Sequence, residues 1–297
     1  MIKFSQALQQ YGETVRLDHA PLGSYRHIAR GTRPLVKFVS LDREDDDQQF
    51  YGMEMEIPFR EEQDGKCIRM PADMAQCVYP FGSAYWDAGV EVVTCPATYK
   101  AQKVIVKRFF DRSGVGTTLQ VEPRVGSGNH IHISTEPLGP RETSVIWEIV
   151  NTPVPAIHDL VSKVAQREHR MRSTYGATRK MVEKSIKFFK DNQWKDSNLP
   201  NTWAIQLKKE LGIEPDFRAL SFGKGPAIGM FRDMGDGTTH EIRIFQAPVN
   251  CLEANKNLDF VRSCIDFAQV EEEAEVYPAW LTKNSETYPD LHEFLRA

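Results

Sequence analysis

Gly126-Ser127-Gly128-Asn129-His130-Ile131-His132-Ile133-Ser134 is the stretch from which the rest of this chain is read. Its glycines permit a tight turn, and the residues that follow alternate polar and apolar. Successive side chains on a strand point to opposite faces. As a strand, the stretch therefore places His130, His132 and Ser134 on one face and Ile131 and Ile133 on the other. Two imidazoles two residues apart form a compact ligand pair, while the isoleucines need a core. One polar and one apolar face is the signature of an antiparallel sheet.

The same two-residue period recurs on either side. Tyr51-Gly52-Met53-Glu54-Met55-Glu56-Ile57-Pro58-Phe59 sets Met53, Met55 and Ile57 against Glu54 and Glu56. His240-Glu241-Ile242-Arg243-Ile244-Phe245 sets Glu241 and Arg243 against Ile242 and Ile244, and Glu91 is the single acid in Val90–Thr94. Asp233-Met234-Gly235-Asp236-Gly237-Thr238 is a hairpin turn between Pro226–Arg232 and Thr239–Phe245. Leu35–Val39, Val145–Val150 and Ala219–Phe222 are further expected strands, and 60–85 is expected to be mostly loop. Helical spacing marks 97–112 (Val104, Lys107, Phe110) and 155–170 (Ile157, Leu160, Val161, Val164). It also marks 178–191 (Val182, Ile186, Phe189) and 201–211 (Trp203, Leu207, Leu211), the latter stopped by Gly212. Leu258, Val261, Ile265 and Ala268 line a later helix, with Glu271–Glu273 and Glu275 as its solvated end. These elements predict an α+β fold: a mostly antiparallel sheet with helices packed on one side, in a single domain over 1–297, with 155–212 a helical insertion or subdomain.

Bulk properties narrow the function. A length of 297 residues, 41% hydrophobic and 26% charged, suits an ordinary globular protein with a sizeable core. A net charge of -4 gives no general pull toward nucleic acid or anionic lipid. The five cysteines (Cys67, Cys77, Cys95, Cys251, Cys264) form no CxxC and are expected to be free thiols in a reducing compartment. No secretory h-region and no long apolar run is found, so the expected location is the cytoplasm, away from membranes. Asp42–Gln49 is a charge run, expected to be a solvated connection.

The chemistry lies in the combination. Alone, an ExE strand is usually a solvated face, a lone glutamate an edge residue, and an ExR pair a cross-strand ion pair. Together, several carboxylates and an imidazole suit a hard divalent cation such as Mg²⁺ or Mn²⁺, and an arginine neutralises phosphate oxygens. That set matches phosphoryl transfer, whose transition state is stabilised chiefly by charge. Gly223-Lys224-Gly225 is no P-loop, since it lacks the first glycine and the Ser/Thr after the lysine.

Four segments also resemble a known family. Gly126–Ser134 is similar to the glycine-rich HxHxS segment of glutamine synthetases. Gly52-Met53-Glu54-Met55-Glu56 resembles the ExE strand of the glutamine synthetase and glutamate–cysteine ligase superfamily. Glu241-Ile242-Arg243 is similar to its late ExR strand, and Trp86–Pro96 resembles a segment of the stripped-down amidoligases. The order matches, over roughly 50–135 and 218–250, and the likeness is nearest to the carboxylate–amine ligases of bacteriophage and bacterial gene clusters. The resemblance implies a curved antiparallel sheet and an ADP-forming ligase that makes an amide through an acyl phosphate, with ATP and Mg²⁺ (or Mn²⁺). It implies Glu54, Glu56, Glu91, His130 and Glu241 as metal ligands. It further implies His132 and Ser134 at the nucleotide phosphates and Arg243 at the transferred phosphoryl group.

Arg124, Arg218, Lys224 and Arg232 are second-tier phosphate or carboxylate contacts, and Arg167, Arg170, Arg172, Arg179 and Lys180 form a basic stretch in the helical block. The long insertions and ammonia-site segments of true glutamine synthetases are absent, which disfavours ammonia as the amine. The expected partners are an amino acid or amine, with a small metabolite, a peptide or protein side chain, or an amine-bearing modified nucleobase as acceptor. If the chain is phage-encoded, its place is the host cytoplasm. Competing readings are a metal-dependent hydrolase, a guanidino kinase on a related scaffold, and an inactive virion-associated protein.

Overall fold

The computed structural model describes residues 2–3, 39–40, 49–58, 78–82, 89–94, 96–113, 115, 127–134, 137–151, 154–166, 228–233 and 238–297, some of the strand residues by backbone alone. The architecture is α+β, as the alternation predicted. Expectations that fall on 41–48, 167–227, Arg124 or Cys67, Cys77 and Cys95 lie outside the described residues. The chain divides into two compact units, Met1–Ile131 with Gln246–Asn255, and His132–Phe245 with Lys256–Ala297.

The first unit holds β1 (Ile2–Lys3), β2 (Val39–Ser40), β3 (Tyr51–Pro58), β4 (Val78–Gly82), β5 (Gly89–Thr94) and α1 (Tyr99–Ser113). β1 and β2 pair in parallel. β5 lies antiparallel to both β3 and β4, with Glu54 opposite Val93, Glu56 opposite Glu91 and Pro80 opposite Val92. β4 forms the edge of this ladder, and β6 (Gly128–Ser134), which starts in this unit, follows β3. Tyr51, Met53, Met55 and Ile57 are all buried, so the alternation of β3 sends its apolar side into the core. The backbone groups of Tyr51 and Ala97 exchange hydrogen bonds of 2.8 and 2.9 Å. Thr94 Oγ1 accepts from the Met53 amide (2.8 Å) and from Gln102 Nε2 (2.7 Å), which ties β3 and β5 to α1. The buried face of α1 is Ala101, Ile105, Val106, Phe109 and Phe110. Lys107, expected on the apolar stripe, is exposed and pairs with Asp111 at 2.7 Å.

The second unit contains the end of β6, then α2 (Pro140–Asn151), α3 (Pro155–Ala165), β7 (Ile228–Asp233), β8 (Thr238–Gln246), most of α4 (Cys251–Val270), α5 (Tyr277–Lys283) and α6 (Pro289–Arg296). β8 lies between β6 and β7. The expected hairpin is present, with Asp233 opposite Thr238, Arg232 opposite Thr239 and an irregularity between Gly229 and Arg232. Leu258, Val261, Ile265 and Ala268 are buried on α4, and Glu271–Glu273 and Glu275 are exposed, as expected. Phe260 meets Tyr277, and Phe267 meets Tyr277 and Trp280, edge to face at centroid distances of 5.2 to 6.2 Å, geometry that aromatic quadrupoles favour. α6 begins with Pro289 and has no side-chain cap of its own. Asp259 of α4 supplies one instead, accepting from the amides of Asp290 (3.1 Å) and Leu291 (3.3 Å).

Two expectations are corrected. Val145–Val150, expected as a strand, lies inside helix α2. Val145, Ile146, Trp147, Ile149 and Val150 are all buried, while the polar residues Arg141, Ser144, Glu148 and Asn151 recur at helical spacing along the same helix. The second correction is β4, a strand inside the stretch expected to be loop. Pro80 sits in it, a residue that an edge strand tolerates because its outer side needs no ladder donor.

Candidate functional site

β3 and β6 bring together the first group of predicted residues. Glu54 is 9% exposed and His130 is 3% exposed, and His130 Nδ1 lies 3.3 Å from Glu54 Oε2. Glu56, half-buried on the same strand, accepts a 2.6 Å hydrogen bond from the Gly128 amide through Oε2. Gly128, the first residue of β6, therefore holds a carboxylate with its backbone. Glu91 stands opposite Glu56 in the ladder, so the two acids share a rung of the sheet.

Within the second unit, β8 and the end of β6 make a matching group. Glu241 is 2% exposed and accepts a hydrogen bond from Arg243. His132, 6% exposed, lies with Nε2 3.7 Å from Glu241 Oε1 and with Nδ1 3.1 Å from Thr239 Oγ1. Ser134 follows on β6 and is half-buried. Arg232 is placed on β7 opposite Thr239. On the other face of β8, His240 is buried with Nε2 3.4 Å from Thr143 Oγ1 of α2. Desolvation there pushes its pKa down to about 3, so it is a neutral core histidine, separate from the charged face.

The sequence predicted that the polar side chains would occupy an open sheet face. Glu54, His130, His132 and Glu241 are instead nearly all removed from solvent. Burying carboxylates is costly unless each is paired or coordinated, and here each has an imidazole or guanidinium neighbour. Neutral imidazole beside carboxylate is a donor set suited to a hard or borderline divalent cation. The Arg243 side chain is 28% exposed and donates to Glu241. Sequence reasoning missed two contributors. Thr239 shares the parity of Glu241 and Arg243 along β8, so the period that found those two also points to it. The Gly128 amide carries no side-chain signal at all. Asn129, on the isoleucine side of β6, is fully buried, and neither Oδ1 nor Nδ2 has a hydrogen-bond partner among the described residues.

Compared with protein-family models and with curated proteins, the chain has no significant match. Among the described residues, no helix is long and apolar enough to cross a membrane.

Proposed function

We propose that this chain is an ATP- and Mg²⁺-dependent carboxylate–amine ligase that forms an amide through an acyl phosphate, on a glutamine-synthetase-like curved sheet. The observation that carries the reading is the pair of buried carboxylate–imidazole contacts, Glu54–His130 and Glu241–His132, the second joined to an arginine. Structural ion pairs rarely place so many ionisable groups out of water on residues of a single two-residue period.

In this reading Glu54, Glu56, Glu91, His130 and Glu241 hold the metal, and their oxygen and imidazole donors fit Mg²⁺ or Mn²⁺. The metal supplies charge that offsets repulsion between ATP and an anionic acid. Arg243 binds the transferred phosphoryl oxygens, and His132 and Ser134 contact the phosphates. The substrate carboxylate oxygen attacks the γ-phosphorus, and the bond to the β–γ bridging oxygen breaks to release ADP. The amine then attacks the acyl carbon, phosphate departs, and the amine loses one proton to solvent. The carboxylate and amine are amino acid or amine metabolites, or side chains of a larger acceptor.

The test is ADP and phosphate release from ATP and Mg²⁺ with pooled amino acids and polyamines. Release should depend on the acceptor, and Glu56→Gln and His130→Ala should each reduce it by about 100-fold or more. Wild-type turnover in both variants would overturn the assignment, and turnover without an acceptor would point to a hydrolase.

A further inference from the structure

The second unit contains a contact that the reading above does not use, that of His132 with Thr239. Along β8, Thr239, Glu241 and Arg243 alternate onto one face, and the His132 ring meets two of them through different nitrogens. Nδ1 is 3.1 Å from Thr239 Oγ1, within hydrogen-bond reach. Nε2 is 3.7 Å from Glu241 Oε1, too far for a hydrogen bond. That longer separation is nevertheless the spacing of two ligands on one cation, since donors about 2.1 Å from an ion sit roughly 3–4 Å apart. A neutral imidazole has one N–H and one lone pair, and whatever the first nitrogen does decides what the second offers.

We infer that Thr239 is a positioning residue: it accepts the Nδ1 proton of His132 and so turns a lone pair on Nε2 toward the same cation as Glu241. His132 is then a metal ligand, a role that replaces the phosphate contact given to it in the reading above. The threonine fills the place that a carboxylate or carbonyl occupies behind many metal-bound histidines. This inference rests on reading the charged face as a metal–nucleotide site.

Its test separates the two claims. Long-range ¹H–¹⁵N spectra of the metal-free protein, with His132→Asn for assignment, read the tautomer directly. His132 should carry its proton on Nδ1 in the wild type and in Thr239→Ser, and should become a tautomer mixture in Thr239→Val. Titration with Mn²⁺, followed by its paramagnetic signal, should then show affinity weakened about tenfold or more in Thr239→Val and restored in Thr239→Ser. Equal Mn²⁺ affinity in wild type and Thr239→Val, or a wild-type proton on Nε2, overturns the role of Thr239 and leaves the ligase reading standing. No Mn²⁺ binding by the wild type overturns the metal reading and the ligand assignment with it. Thr239→Val is nearly isosteric, and an unchanged thermal melt establishes that the comparison is made on folded protein.

Discussion

Lys256 shows how a single side chain can organise a neighbourhood. It is 1% exposed, yet its ammonium donates to Val164 O at the end of α3 and to Gln166 Oε1 at 2.8 Å, and lies 4.1 Å from the centre of the Phe294 ring. A cation at a helix C-terminus meets the negative end of the dipole, and Gln166, in the left-handed conformation, ends α3 there. Lys256→Ala should lower unfolding free energy by about 2–4 kcal/mol in urea titrations, because it leaves a cavity and an unsatisfied carbonyl together. Phe294→Leu should lose less, on the order of 1 kcal/mol. None of this was legible in the sequence, where Lys256 falls among polar residues of an amphipathic helix. Glu54, Glu56, His130, His132, Glu241 and Arg243 were legible, because period two in an apolar strand advertises which residues share a face. Their burial was not, since it depends on what covers the face and not on the strand itself.

At the scale of elements, legibility followed the strength of the period. β3, β6 and β8 alternate cleanly, and each lies where alternation put it, within a residue or two at the ends. α2 shows the opposite case. Val145-Ile146-Trp147-Glu148-Ile149-Val150 is rich in β-branched residues and holds one polar residue, so within that window it reads as a strand; the helical stripe of Arg141, Ser144, Glu148 and Asn151 shows only over the whole element. Pro140 at its start and its twelve-residue length were the better signals. Ile149→Ala should therefore act as a core truncation, lowering stability by about 2–4 kcal/mol in urea, whereas Ile149→Leu should stay within about 1.5 kcal/mol. A large loss for leucine would contradict the helical packing. β4 was hidden by Pro80, which reads as a breaker until its place at the edge of the sheet is known.

At the scale of the whole molecule, the stability of the second unit is tied to groups that must stay neutral. Burial pushes the Cys264 thiol from 9.0 up to about 12 and raises Tyr277 well above its ordinary value, while Ser263 Oγ lies 2.6 Å from the tyrosine hydroxyl. Above pH 9 the unfolded chain loses protons that the folded protein keeps. Stability is then full below pH 9 and falls as pH rises toward 12, by up to about 1.4 kcal/mol per pH unit for the thiol alone. Chemical denaturation at pH 8, 9.5 and 10.5 should show that slope, and Cys264→Ala should flatten it. The fold class followed from strand periods and helical stripes, whereas the division into two units did not, because its boundary falls inside the continuous strand β6 and no change in composition marks it. Asn129, in that same strand, offers a practical opening. A fully buried amide with no partner among the described residues weakens the fold, and Asn129→Leu should raise the urea midpoint by an amount worth about 1–3 kcal/mol. Alternation turns Asn129 away from the histidines, so the substitution gives a reinforced genetic background. Variants of Glu54, His130 or Glu241 made on it would start from a larger stability margin, so that any change in activity is more cleanly separated from unfolding.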